Sequence, residues 1–234
     1  MNHKTIGIIG GMGPLATADL FQKIVQNTKA SCDQEHIRIF IDNNTNIPDR
    51  TAAILGKGED PLPQLRKSAA ILKDMGADLL IMPCNTAHYF YKSLQESIEI
   101  PVLHMIEITR DTLKERGIRK AGLLATDGTR KTGIYQDIFE GSGIELICPE
   151  GDDQKAVMDM IYAGVKAGNK AYDTGKVKKA IEALLDQGAE TIILGCTELP
   201  LAVSMYQLEC PCTDPTLELA KGAIKAANYL VLKD

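Results

Sequence analysis

Short apolar runs rich in Ile, Leu and Val alternate along this chain with longer segments whose apolar residues recur at helical spacing. Continuous short runs suit strands buried on both faces, and the amphipathic stretches between them suit helices lying on those faces. Together they predict βαβ units around a mainly parallel sheet. The expected strands are Thr5 to Ile9, Ile37 to Asp42, Leu79 to Met82, Val102 to His104, Ala121 to Ala125, Ile144 to Ile147 and Thr191 to Leu194. The clearest helices are Ala16 to Asn27, Leu65 to Met75 closed by Gly76, Ile108 to Arg116 closed by Gly117, Val177 to Leu185 before Gly188, and Thr216 to Leu232. The closing glycines suit left-handed C-cap positions.

The pattern repeats itself. Residues 76 to 88 read GADLLIMPCNTAH and residues 188 to 200 read GAETIILGCTELP; 188 − 76 and 196 − 84 both give 112, so Gly76 and Gly188, and Cys84 and Cys196, share one offset. A fainter pair joins Gly7-Ile8-Ile9, followed by a glycine-rich loop, to Gly122-Leu123-Leu124, followed by Thr126-Asp127-Gly128-Thr129. A duplication of this kind predicts an α/β protein of two pseudo-two-fold-related domains, each a mainly parallel sheet flanked by helices. The expected first domain is 1–106, with the C-terminal helix 213–234 packing back on it, and the second is 107–212. Open parallel sheets take ligands beyond the C-terminal strand ends, which puts the expected active site in the cleft between the domains. Each cysteine follows an apolar run closed by Pro83 or Gly195 and precedes a threonine within two positions.

A lone cysteine after a buried strand reads as a small hydrophobe. Two at one repeat position read as a functional pair. Inverting a carbon that bears one acidic hydrogen needs a proton removed from one face and another delivered to the opposite face. Thiols suit this work, because their ordinary pKa of about 8.5 is within reach of neutrality and a helix N-terminus or a cation lowers it. Cys84 precedes an expected helix start, where N–H groups can stabilise a thiolate or a carboxylate; Cys196 is placed similarly before a shorter helix. Metal binding is the rival use, but neither cysteine belongs to a CxxC, and His88 is the one imidazole close by in sequence. Cys210-Pro211-Cys212 is too tight for a zinc pair, and Cys32 and Cys148 read as packing or surface residues.

Composition narrows the classes further. With 234 residues and 44% hydrophobic content the chain can bury a substantial core, and its net charge of −5 is dispersed with no basic cluster, so a nucleic-acid partner is not expected. No run reaches the roughly 18 apolar residues of a membrane span, so no membrane association is expected. Met1-Asn2-His3-Lys4 leads directly into a strand rather than a signal peptide. The expected setting is cytoplasmic, with all six cysteines reduced.

At Pro83-Cys84-Asn85-Thr86-Ala87-His88 and Leu194-Gly195-Cys196-Thr197-Glu198-Leu199 the sequence resembles the aspartate/glutamate racemase superfamily, its aspartate racemase branch in particular. Ile9-Gly10-Gly11-Met12-Gly13-Pro14 with Ala16-Thr17, and Pro48-Asp49-Arg50-Thr51, match the same branch, and the resemblance runs from about Lys4 to the C-terminal helix. The glycine-rich turn lacks the GxGxxG and Walker spacings, and its simplest use is close backbone approach to a small ligand. By itself Arg50 reads as a surface arginine and Lys166 as a solvated helix lysine. The resemblance instead implies that they hold the distal carboxylate of the substrate, Met12 bordering it. It also implies that Asn85, Thr86, Thr126 and Thr197, in loops at the cleft rim, bind the amino and α-carboxylate groups.

The resemblance thus implies cofactor-independent interconversion of L- and D-aspartate by Cys84 and Cys196, without pyridoxal phosphate or metal, in a homodimer. Glutamate racemases of the superfamily usually carry His directly after the second Cys-Thr, where this chain has Glu198. A glutamate or broad-specificity racemase is the alternative within the superfamily, and a non-catalytic sensor of acidic metabolites is the alternative from another class.

Overall fold

In the computed structural model residues 2–232 are described; Met1 and positions 233–234 of the expected domain ends lie outside the described residues. The chain runs β1 (Ile6–Gly10), α1 (Pro14–Asn27), β2 (Ile39–Asn43), α2 (Arg50–Ile54), α3 (Leu62–Asp74) and β3 (Leu79–Ile81). A 3-10 turn, Thr86–Phe90, then leads into α4 (Tyr91–Gln95), followed by α5 (Met105–Glu115). The remainder is β4 (Lys120–Ala125), α6 (Asp127–Thr132), α7 (Ile134–Phe139), β5 (Glu145–Ile147), α8 (Gly151–Asp159), a π-helical segment Met160–Lys166, α9 (Gly175–Asp186), β6 (Thr191–Gly195), α10 (Glu198–Met205), β7 (Cys212–Thr213) and α11 (Pro215–Ala226).

These elements form two units, one reaching to Ile108 and resuming at Thr216, the other Thr109–Pro215. In the first, three parallel strands lie in the order β2-β1-β3. The period-two alternation of β1 sends Ile6 and Ile8 into a core with Leu20, Ile24, Leu219 and Ala223, and Ile9 into a second core with Leu65, Leu72 and Leu80. Helix α11 belongs to the first of those cores, so the chain closes its first unit with its last helix. The second unit holds the parallel order β5-β4-β6-β7, covered by a core that includes Leu124, Val157, Val177, Leu184 and Leu199.

The duplication is visible bond by bond. Gly7 of β1 is in register with Leu80 of β3, and Gly122 of β4 with Ile192 of β6. Both glycines sit where a helix crosses the sheet: a Cβ on Gly7 would lie 2.6 Å from Leu80 Cδ2 and 3.2 Å from Leu72 Cβ, and one on Gly122 would lie 2.8 Å from Ile192 Cδ1 and 3.3 Å from Leu184 Cβ. Asp78 and Glu190, again equivalent, accept the amides of Thr5 (2.7 Å) and Arg119 (2.8 Å) at the start of the central strand. Gly76 and Gly188 adopt φ of 97° and 90°, and the amides that follow them return to Leu72 and Leu184, the left-handed closure expected of both helices.

The largest departures from expectation fall at the edge strands and the last helix. Val102–His104 reduces to a single parallel bridge, Leu80 to Val102, because Pro101 precedes it and α5 begins at Met105. Its counterpart β7, which the pattern does not reveal, is two residues long behind Pro211. The prolines correspond, since Leu80 donates to the Pro101 carbonyl at 2.8 Å and Ile192 to that of Pro211 at 2.7 Å. The last helix ends at Ala226 rather than Leu232, where Asn228 turns to φ 64°.

Because the space over each central-strand glycine is already filled, Gly7→Ala and Gly122→Ala should each lose about 1–3 kcal/mol of stability by overpacking. Urea unfolding checks this, and a loss near zero at both positions would contradict the packing assigned to them.

Candidate active site

Strand β3 ends at Ile81 and the chain turns through Pro83 to Cys84, whose amide returns to the Met82 carbonyl at 2.9 Å. Cys84 is buried at 5% exposure, in the apolar cluster that also holds Met12, Ile9 and Ala87. His88 fixes this turn from behind: its Nδ1–H donates to the Cys84 carbonyl at 2.9 Å, and its Nε2 accepts the Met105 amide at 3.1 Å. That pairing demands a neutral ring. Burial is the larger effect, lowering the His88 pKa from its ordinary 6.5 to about 4 against the opposing hydrogen bonds to the Cys84 and Leu103 backbones. His104 joins the cluster, with its ring 4.8 Å from that of His88.

Arg50 belongs to the same unit. Asp49 caps the N-terminus of α2 by accepting the Ala52 amide at 2.7 Å, which sets Arg50 as its first residue. Far from a surface arginine, it is 8% exposed, and its guanidinium donates to the carbonyls of Ile47, Pro48 and Met12 at 3.3, 3.0 and 3.3 Å. Met12 is buried too. The glycine-rich turn beside it serves the protein's own backbone: Gly11, at φ 90°, would drive a Cβ into the main chain of Asn44, and one on Gly10 would strike Thr17. The close approach expected there is therefore intramolecular, made by the loop after β2.

In the second unit β6 ends at Gly195, and Cys196 and Thr197 lead into α10. Cys196 is 7% exposed and its thiol donates to Glu198 Oε2 at 2.9 Å. The other carboxylate oxygen of Glu198 takes Lys166 Nζ at 2.8 Å, the glutamate being buried and the lysine partly so. Lys166 ends the π-helical segment Met160–Lys166, a helix distortion that often marks functional positions. Burial first, and then the Glu198 charge and hydrogen bond, push the Cys196 thiol well above its ordinary pKa, with Lys166 opposing. The lowering expected of a thiol at a helix start is thus reversed here, by burial first and by the adjoining Glu198 carboxylate second. Tyr135 also faces this group from α7, its phenol held up by burial, Cys196 and Asp214.

Thr126 caps α6 by accepting the Thr129 amide at 3.2 Å. Asn85, Thr86, Thr126 and Thr197 are all buried, so none is an exposed rim residue. The structure groups Cys84, Asn85, Thr86, Met12 and Arg50 in one unit, and Cys196, Thr197, Thr126 and Lys166 in the other. Sequence reading used Glu198 only to separate branches, and missed its hydrogen bond to the thiol; the Cys-x-Glu spacing at a helix start was the available signal. It also passed over His88 as a structural support. A cavity of about 840 Å³ beside β5, lined by Arg130, Cys148 and Glu150, includes neither Cys196 nor Lys166.

The remaining cysteines differ in one respect from expectation. Cys32 is exposed and Cys148 half-buried, but Cys210 and Cys212 are joined as a disulfide rather than both reduced. In extended chain, side chains two apart point to the same side, and these two Cα atoms are 5.6 Å apart, within bonding reach. Among the described residues no three His, Cys, Asp or Glu side chains are grouped as a metal site requires, and no helix is long and apolar enough to cross a membrane.

Comparison with known proteins places the chain in a family. The profile described as Asp/Glu/Hydantoin racemase matches residues 9–223. The chain belongs to that family. It is a racemase of the superfamily, and its two parallel sheets flanked by helices are the family's fold. Picrophilus torridus aspartate racemase superposes with a TM-score of 0.83 at 33% identity, covering 98% of this chain and 96% of that one. The broad specificity amino-acid racemase RacX of Bacillus subtilis is 28% identical over 233 residues, covering 96% of this chain and 98% of its own. The glutamate racemase of Corynebacterium diphtheriae is 28% identical over 219 residues, covering 89% of this chain and 74% of its own.

The buried neutral His88 makes stability depend on acidity. Its folded pKa lies below its unfolded value, so the unfolded chain binds a proton first. The stabilisation is whole above pH 6.5, falls as pH drops from 6.5 towards 4, and is spent below that. The full linkage is worth about 3 kcal/mol. Urea unfolding between pH 7 and pH 4 should show the parent losing about 2–3 kcal/mol more than His88→Gln; equal losses would contradict the neutral-ring assignment.

Proposed function

We propose that the protein interconverts L- and D-aspartate without a cofactor, Cys84 and Cys196 serving as the two acid-base groups. The observation that carries this reading is the equivalence of the two thiols: each follows the strand paired to its unit's central strand, in a chain whose family performs racemisation. One thiolate removes the α-proton and the other thiol delivers a proton to the opposite face of Cα. Negative charge developing on the α-carboxylate is met by loop N–H groups with Asn85, Thr86, Thr126 and Thr197, all of them buried.

Preference for an acidic substrate rests on Arg50 and Lys166, with Met12 bordering the bound molecule. Arg50 is held in place by three backbone carbonyls, and a guanidinium is the group whose planar fork suits a carboxylate. Lys166 has three N–H donors and can keep Glu198 while reaching a second carboxylate. Likeness to the Picrophilus aspartate racemase supports aspartate as the substrate. Broad amino-acid specificity is the second reading, supported by the end-to-end likeness to RacX. Homodimerisation, expected from the resemblance, is part of the same proposal.

Chiral chromatography of L-aspartate, L-glutamate and a neutral amino acid, without added cofactor, decides between the readings. The expected order is aspartate first, and preference for the neutral substrate would overturn the roles of Arg50 and Lys166. Cys84→Ala and Cys196→Ala should each lower turnover by at least about 100-fold, the lower end of what positioned acid-base groups contribute. Parent-level turnover in either variant would overturn the two-thiol mechanism.

A further inference from the structure

The two thiols stand at equivalent places in the repeat, but their surroundings differ. In the first unit the third position of the motif after β3 is Thr86; in the second, the matching position is Glu198. Its carboxylate touches the Cys196 sulfur at 2.9 Å, and a carboxylate can only accept, so the hydrogen in that contact is the thiol's. Lys166 pairs with the other oxygen at 2.8 Å, in a place where the glutamate side chain is buried. Thr197 Oγ1, at 3.5 Å, is the further donor to the same oxygen. The titratable groups facing Cys196 are therefore Glu198 from α10, Lys166 from the π-helical segment and Tyr135 from α7.

We propose that Glu198 is a positioning residue that holds Cys196 as the thiol in the substrate-free enzyme, making Cys196 the proton donor and Cys84 the base in the first half of a turnover. This deepens the two-thiol reading above and rests on it. The balance is simple: the Cys84 thiolate takes the Cα proton and becomes a thiol, and the carbanion takes the Cys196 proton, leaving a thiolate. That thiolate then faces the Glu198 carboxylate, a like-charge contact that favours its reprotonation, the proton lost from Cys84 returning through solvent. Lys166 keeps the contact tolerable for the lifetime of the step. The duplicated fold thus gives its two halves unequal resting states through one residue.

The test is a pH titration followed by the ¹³Cβ shifts of cysteine-labelled protein, which report thiol or thiolate whether or not a reagent can reach the sulfur, with Cys84→Ser and Cys196→Ser assigning the signals. In the parent the Cys196 signal should keep its thiol position to a higher pH than Cys84. In Glu198→Gln, the near-isosteric variant without the charge, its midpoint should fall by at least about one unit, a tenfold larger thiolate fraction at a fixed pH below both midpoints. In Lys166→Gln it should move upward. A Cys196 midpoint at or below that of Cys84 in the parent, or one unmoved by Glu198→Gln, overturns the proposal, and the parent comparison stands even if a variant fails to fold. No substrate is present in this titration. Failure of the two-thiol mechanism would show instead as retained turnover in Cys196→Ala.

Discussion

A parallel strand releases its chain at the same edge as its neighbours, and this constraint places one buried cysteine in each unit. Cys84 follows β3, Cys196 follows β6, and each of those strands is locked in register to a central strand through a glycine that leaves room for the helix above it. The register is set by apolar packing of Leu72 and Leu80 in one unit, and of Leu184 and Ile192 in the other. The thiol positions inherit it. Loops alone, with few buried contacts, would hold a sulfur less closely than a sheet edge does.

On that shared frame the two halves diverge where chemistry begins. Behind Cys84 stands a neutral histidine, which spends both ring nitrogens on backbone groups and so stiffens the turn without supplying charge. Beside Cys196 stands the Glu198 carboxyl, paired with a lysine. Duplication supplies two places for a thiol, and the residue two positions after each cysteine, Thr86 in one unit and Glu198 in the other, makes the places unequal. An enzyme that must give a proton at one sulfur and take one at the other gains from that inequality, because a pair in the same protonation state is idle.

Much of this was legible in the chain because buried parallel strands leave continuous apolar runs, and helix ends leave glycines. Gly76 and Gly188 announce both the helix closures and the repeat. Pro101 and Pro211 hide the edge strands, since a proline beside so short a pairing reads as a turn; one expected strand shrinks to the Leu80–Val102 bridge and β7 goes unseen. The site was legible as residue types and not as pairings. Arg50 reads as an exposed charge because burial on three backbone carbonyls leaves no trace in composition. Lys166 and Glu198 lie 32 positions apart in sequence, and Lys166 ends a π-helical turn that hydrophobic periodicity does not encode.

The central claim is that two different groups work on the two faces of one carbon, and the most direct measurement is the fate of the α-hydrogen during racemisation of L-aspartate in deuterium oxide, sampled at low conversion and resolved by enantiomer. Separate thiols predict that the D-aspartate formed carries deuterium at Cα while the unreacted L-aspartate remains protiated. D-aspartate that retains protium, or deuterium entering both enantiomers at equal rates from the outset, would indicate a single group serving both faces and would contradict the account.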